Sequence, residues 1–80
     1  MKKITKSVYL NSIEKVKNFT TIAGHYPSAN FDLKNGKYII DGKSIMGIFS
    51  LNLTDPIELT IEAEQNTLNS ILFDLKEFFV

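Results

Sequence analysis

Residues 43–51 read KSIMGIFSL, and five of these side chains, Ile45, Met46, Ile48, Phe49 and Leu51, are large and apolar. Ser44 stands where a hydroxyl caps a short helix running through Ile48 toward Ser50. On so short a helix, positions 45, 46, 48, 49 and 51 wrap most of the circumference and cannot all reach a core. Some must be exposed or covered by a partner. Gly47 in the middle costs helix stability and keeps that surface flat. The stretch therefore predicts a short surface helix with an apolar outer side, and its neighbours decide which fold carries it.

Immediately upstream, Phe31 and Leu33 alternate with Asp32 and Lys34, and Asn35-Gly36 is a dipeptide suited to a two-residue hairpin turn. Tyr38 and Ile40 continue the inward face, and Asp41-Gly42 breaks the second strand. Downstream, Asp55-Pro56 turns the chain into Ile57-Glu58-Leu59-Thr60-Ile61-Glu62, a clean alternation that predicts a strand. Leu68, Ile71, Leu72, Leu75, Phe78 and Phe79 then mark one stripe of a C-terminal helix, capped near Asn66 or Thr67 and running to the last residue.

At the other end, Ile4, Val8 and Leu10 recur at even positions, with Lys6 the exception, and predict a first strand over residues 4–10. Asn11, Ser12 and Glu14 form a capping box, a polar cap with a glutamate three positions on. Ile13, Val16, Phe19, Thr20 and Ala23 follow at helical spacing, and Gly24 supplies a left-handed stop. The order is β-α-β-β-α-β-α. Four amphipathic strands need helices on one face to bury their apolar side, which predicts an α+β open-faced sandwich, a four-stranded antiparallel sheet covered by three helices.

Eighty residues make a single domain, 1–80. Nine basic and nine acidic residues cancel, so the electrostatic footprint of a nucleic-acid-binding protein is missing and neither DNA nor RNA is an expected partner. No run approaches the roughly 20 apolar residues that a bilayer requires, so membrane insertion is not expected. MKKITKSVYL has a charged beginning without the apolar run of a secretion signal, which points to the cytoplasm. Without cysteine there is no disulfide framework. One histidine, no metal-ligand spacing and no glycine-rich phosphate loop argue against an enzyme, a metal site or a cofactor. Glu58, Glu62 and Glu64 read as the solvated face and end of a strand.

The element order, the hairpin NGK, the segment KSIMGIFSL and the strand IELTIEAE resemble the HPr family, the histidine-containing phosphocarriers of the bacterial sugar phosphotransferase system. The resemblance spans essentially the whole chain, and its specific part is the second half. It implies that Ser44 falls on the serine that an ATP-dependent kinase phosphorylates in Gram-positive members. It makes Ile45, Met46 and Phe49 the exposed patch that docks partners, with Ile48 and Leu51 facing the core. The partners implied are phosphotransferase-system proteins, the HPr-type serine kinase or transcriptional regulators.

The first half departs from that pattern. The family carries a glycine/histidine/alanine/arginine/proline motif at the start of its first helix. Here Ser12 falls at the histidine, Glu14 at the arginine and Lys15 at the proline. A phosphoserine is a stable ester and a dead end for a relay that needs a labile phosphoimidazole. Glu14 puts a negative charge where the family places a cation beside the phosphoryl oxygens. The nearest histidine, His25, is about 13 residues downstream, on the order of 18–20 Å along a helix. It reads as a loop imidazole beside Tyr26 and Pro27. The sequence thus predicts a regulatory protein-interaction module without histidine phosphocarrier activity, with no catalytic residue and Ser44 as the regulatory site. Two other readings stand beside it: an unrelated small α+β module, dimeric through Ile39 and the same helix patch, and a carrier that works through His25.

Overall fold

A computed structural model describes all residues, Met1–Val80. The elements are β1 (Lys2–Val8), α1 (Ile13–Gly24), β2 (Asn30–Asn35), β3 (Tyr38–Asp41), α2 (Ile45–Phe49), β4 (Ile57–Ala63) and α3 (Gln65–Asp74), followed by a 3-10 turn at Lys76–Phe78. The strands form one antiparallel sheet in the order β1-β4-β2-β3. This is the predicted α+β open-faced sandwich.

Register explains which face is covered. Ile4 lies across from Ile61 and Ile61 from Phe31, while Leu59 lies across from Leu33 and Leu33 from Ile40. These rows meet Val16, Phe19 and Ala23 of α1, Ile48 of α2, and Leu68, Ile71, Leu75 and Phe78 at the C-terminal end in one core. The opposite rows, Lys3-Glu62-Asn30 and Thr5-Thr60-Asp32-Asp41, are polar and leave the other face open. Lys6, the exception in the first strand, belongs to the covered side at an edge, and its amine lies over the ring of Phe79, 5.6 Å from the centroid. No helix is long and apolar enough to cross a membrane.

Several local expectations are corrected. The first strand ends at Val8; Leu10 is buried beyond it. Val8 is bridged by Phe79, the Tyr9 N–H donates to the Phe78 carbonyl and the Val80 N–H to that of Ser7. This arrangement replaces the helix running to the last residue: α3 stops at Asp74 and the chain straightens at Phe79 to reach β1. Its start is also earlier than expected, with Glu64 as cap residue and Gln65 the first helical one. Gly24 is not left-handed, since Gly36 is the sole residue with positive φ, 62°. Instead α1 tightens, with the His25 and Tyr26 N–H groups donating to the carbonyls of Ile22 and Ala23. The hairpin loop is Gly36-Lys37, flanked by the pair Asn35 and Tyr38. A positive φ at the first loop position alone is the II′ pattern, which glycine there satisfies.

Two apolar residues assigned to the core lie outside it. Tyr38 is 71% exposed near the hairpin tip, beyond the reach of the helices, and Ile13 is 65% exposed in the first turn of α1.

Candidate functional site

Helix α2 is built as its serine dictates. The Ser44 hydroxyl oxygen accepts from the Gly47 N–H at 3.2 Å, and Ile48 is driven into the core. Ile45, expected in the exposed patch, is instead half-buried against that core, because the first turn of so short a helix lies close on the layer beneath it, whereas Met46 is 78% and Phe49 40% exposed. Leu51 is partly buried. Ser44 itself is exposed. Gly47 does not flatten the outer surface; it faces the sheet. A Cβ there would stand 2.6 Å from Ile40 Cγ2 and 3.1 Å from the Ser44 hydroxyl, so its lack of a side chain lets α2 lie close on β3.

Lys43, next to Ser44, anchors the whole element. Its amine donates to the carbonyls of Tyr26 and Ala29, both at 2.9 Å, and lies 5.6 Å from the centroid of Phe31. The same loop is held from its other side, where the Tyr26 hydroxyl donates to the Asp74 carboxylate at the end of α3. Sequence reading missed this clasp, because neither a lysine before a capping serine nor a tyrosine after a helix announces a partner 17 or 48 residues away.

The Asp74 hydrogen bond, then burial, then the carboxylate charge raise the Tyr26 pKa above the ordinary tyrosine value. The folded state thus holds this proton more tightly than the unfolded chain. The resulting stabilisation is complete below the unfolded value of about 10 and is lost as pH rises through the raised one. Phenolate absorbance should accordingly place the Tyr26 midpoint, isolated by difference from Tyr26→Phe, above that of an ordinary tyrosine, and Asp74→Ala should bring it down. An unchanged midpoint in Asp74→Ala would show that the carboxylate does not hold the proton.

At the start of α1, Ser12 is the cap residue and its hydroxyl oxygen accepts from the Lys15 N–H at 3.1 Å. Ser12 is thus the cap and Glu14 the second helical residue, one position short of closing a box with it. Lys15 does bring a positive charge into this first turn. Its amine, however, is drawn onto Asn11 Oδ1 at 2.9 Å and lies 5.2 Å from the centroid of Tyr9. His25 is exposed and caps the opposite end of the twelve-residue helix, about 18 Å from Ser12 along the axis. The structure therefore brings Ser44, Ile45, Met46 and Phe49 together on one short helix and keeps His25 apart from Ser12. Helix α1 packs beside α2, so exposed Ile13 lies on the neighbouring helix of the same layer.

The sequence matches no protein-family model and no curated protein. Among solved structures, the chain is similar to HPr-C-His from Thermoanaerobacter tengcongensis, at 24% identity and a TM-score of 0.68 over 96% of this chain and 92% of that one. It is also similar to the phosphocarrier protein HPr from Bacillus anthracis, at 20% identity and a TM-score of 0.65 over 91% of this chain and 94% of that one. Together with the strand order and the helix layer, these likenesses establish that the chain has the HPr-like fold.

Proposed function

We propose that the protein is a docking and regulatory module of the phosphoenolpyruvate-dependent sugar phosphotransferase system that does not carry phosphate on histidine. The observation that carries this reading is the exposure of Met46 and Phe49 directly beside the exposed Ser44 hydroxyl, on a fold like that of the HPr phosphocarriers. Two large apolar side chains held outward on a capped helix are suited to a complementary protein groove. Its partners are phosphotransferase components, an HPr-type serine kinase or transcriptional regulators, encountered in the cytoplasm. The protein is acted upon and performs no catalysis of its own.

Ser44 is the switch in this reading. Transfer of the γ-phosphoryl group of ATP to its oxygen releases ADP and the hydroxyl proton and adds close to two negative charges beside the patch. An acidic partner is then repelled and a basic one attracted. A helix of five residues contributes little macrodipole, so the charge acts on the partner more than on the fold. At the start of α1 there is no imidazole to accept a labile phosphoryl group, and the lysine amine is already engaged by Asn11 and Tyr9.

The test has two arms. Phosphoenolpyruvate and enzyme I should place no acid-labile label on this chain while labelling an authentic HPr beside it; a label here would overturn the reading. An HPr-type serine kinase with ATP should give acid-stable label that Ser44→Ala abolishes. Label that survives Ser44→Ala would remove Ser44 from the proposal.

A further inference from the structure

The two edges of the sheet are finished differently. β1 carries Lys2, Lys3 and Lys6, and Phe79 and Val80 already occupy one end of its outer side. Pairing two copies of β1 about Ile4 would set Lys2 against Lys6 at both ends, so this edge is protected by charge and by covering. β3, the other edge, is open over Tyr38–Ile40 and is covered only at its end, where the Ser44 N–H takes the Asp41 carbonyl. It reads Tyr38-Ile39-Ile40-Asp41, with Tyr38 71% and Ile39 64% exposed.

Its unpaired backbone groups follow from the ladder. The Gly42 N–H donates to the Phe31 carbonyl at 2.7 Å, and the Asp32–Asp41 pair comes next in register. Bonded and non-bonded pairs alternate in an antiparallel ladder. Ile40 and Tyr38 therefore bond toward β2, while Ile39 turns its N–H and carbonyl to the free edge. The Asp41 N–H points the same way, its carbonyl being taken by the Ser44 N–H at 3.0 Å.

Laid antiparallel on itself about Ile39, this strand is self-complementary. Ile39 meets Ile39, Tyr38 meets Ile40, and Lys37 meets Asp41 at both ends. The Asp41 Oδ1 atom accepts from the Lys43 N–H at 2.9 Å, which leaves the second carboxylate oxygen for the lysine. Opposite charges and apolar side chains directly across a ladder stabilise it, and like charges would oppose it. We propose that β3 pairs with β3 of a second copy of this chain about a two-fold axis through Ile39, making one eight-stranded sheet. So short a seam lies at the small end of protein interfaces, and the dimer is weak and concentration-dependent.

Sedimentation velocity and amide spectra of the whole chain, taken from about 20 µM to about 2 mM, test this in the range expected for a small interface. The sedimentation coefficient should rise toward that of a dimer, with concentration-dependent amide shifts confined to residues 37–41, and high salt should reduce both. Ile39→Pro removes an N–H that β2 does not use and is tolerable at an edge; it should remain monomeric throughout with an unchanged helical spectrum. Ile39→Lys, which places two cations on the axis, should do the same and serves if the proline variant misfolds. A wild-type chain that stays monomeric at the highest concentration overturns the proposal. So does a dimer that survives Ile39→Lys, or one whose shifts lie on Met46 and Phe49.

Discussion

Phe19→Ala is expected to be the most destabilising truncation of a side chain in the core, removing much of the stability of the fold. Phe19 is fully buried and meets Phe78 edge to face, with centroids 5.8 Å apart and planes at 87°. Truncation removes the ring and that pair and leaves a cavity among α1, the sheet and the C-terminal turn. Such changes cost about 3–5 kcal/mol. A domain of this length has roughly 4–12 kcal/mol in total, at ~0.05–0.15 kcal/mol per residue, so the loss consumes much of the whole. Phe78 also supplies the carbonyl that accepts from the Tyr9 N–H; the variant therefore loosens the seam between β1 and the last residues too. Urea denaturation followed by circular dichroism reads the effect, and a loss under about 1.5 kcal/mol would show that the neighbouring side chains collapse into the space.

Gly42→Ala should be strongly destabilising for a single added methyl. A Cβ at Gly42 would sit 2.7 Å from Phe31 Cβ and 3.2 Å from the Phe31 carbonyl oxygen, and neither atom is at the end of a flexible chain. Phe31 is buried in β2, a strand held on both sides, so the turn must move and the 2.7 Å hydrogen bond from the Gly42 N–H must open. Overpacking of this kind costs about 1–3 kcal/mol, and fixed surroundings place this case near the upper end. The displacement passes directly to Lys43 and Ser44, so the patch on α2 should lose its position along with the stability. Gly24→Ala is the matched control. Nothing lies within 4 Å of its added carbon and its φ is not positive, so it should be neutral or stabilising by about 0.4–1 kcal/mol through the unfolded chain. Equal effects of the two substitutions in urea titrations would refute the close approach at Gly42.

The order of elements was legible because the signals were periodic. Ile57, Leu59 and Ile61 could face only one way in a strand, and Leu68, Ile71 and Leu75 share one side of a helix. What failed depended on distance in space. Tyr38 has the right parity for the covered face, but parity does not say where a helix stops covering the sheet. Gly24 has the composition of a left-handed stop, yet backbone bonds to Ile22 and Ala23 close the helix without one. Gly47 was placed on the wrong side because its role is set by Ile40 on another element. For the candidate site, Ser44 as a cap follows from local sequence, and Ile48 as core from the family resemblance. That Met46 and Phe49 are the outward residues came from the family resemblance, since spacing says only that a short helix cannot bury everything. The Lys43–Tyr26–Asp74 clasp had no sequence signal at all, since its members lie 17 and 48 residues apart in the chain.

β1 has a single ladder partner in the sheet, and Thr5 and Thr60 face each other across 55 residues. During synthesis the first strand therefore leaves the ribosome long before β4 exists to receive it. The β2–β3 hairpin, by contrast, closes over a two-residue loop as soon as it emerges. For that interval the earliest segment waits as an open chain, and a segment bearing three lysines stays solvated and apart from its kind while it waits. Sheet closure is therefore expected to come late in folding, since β1 can pair only once residues 57–63 are in place.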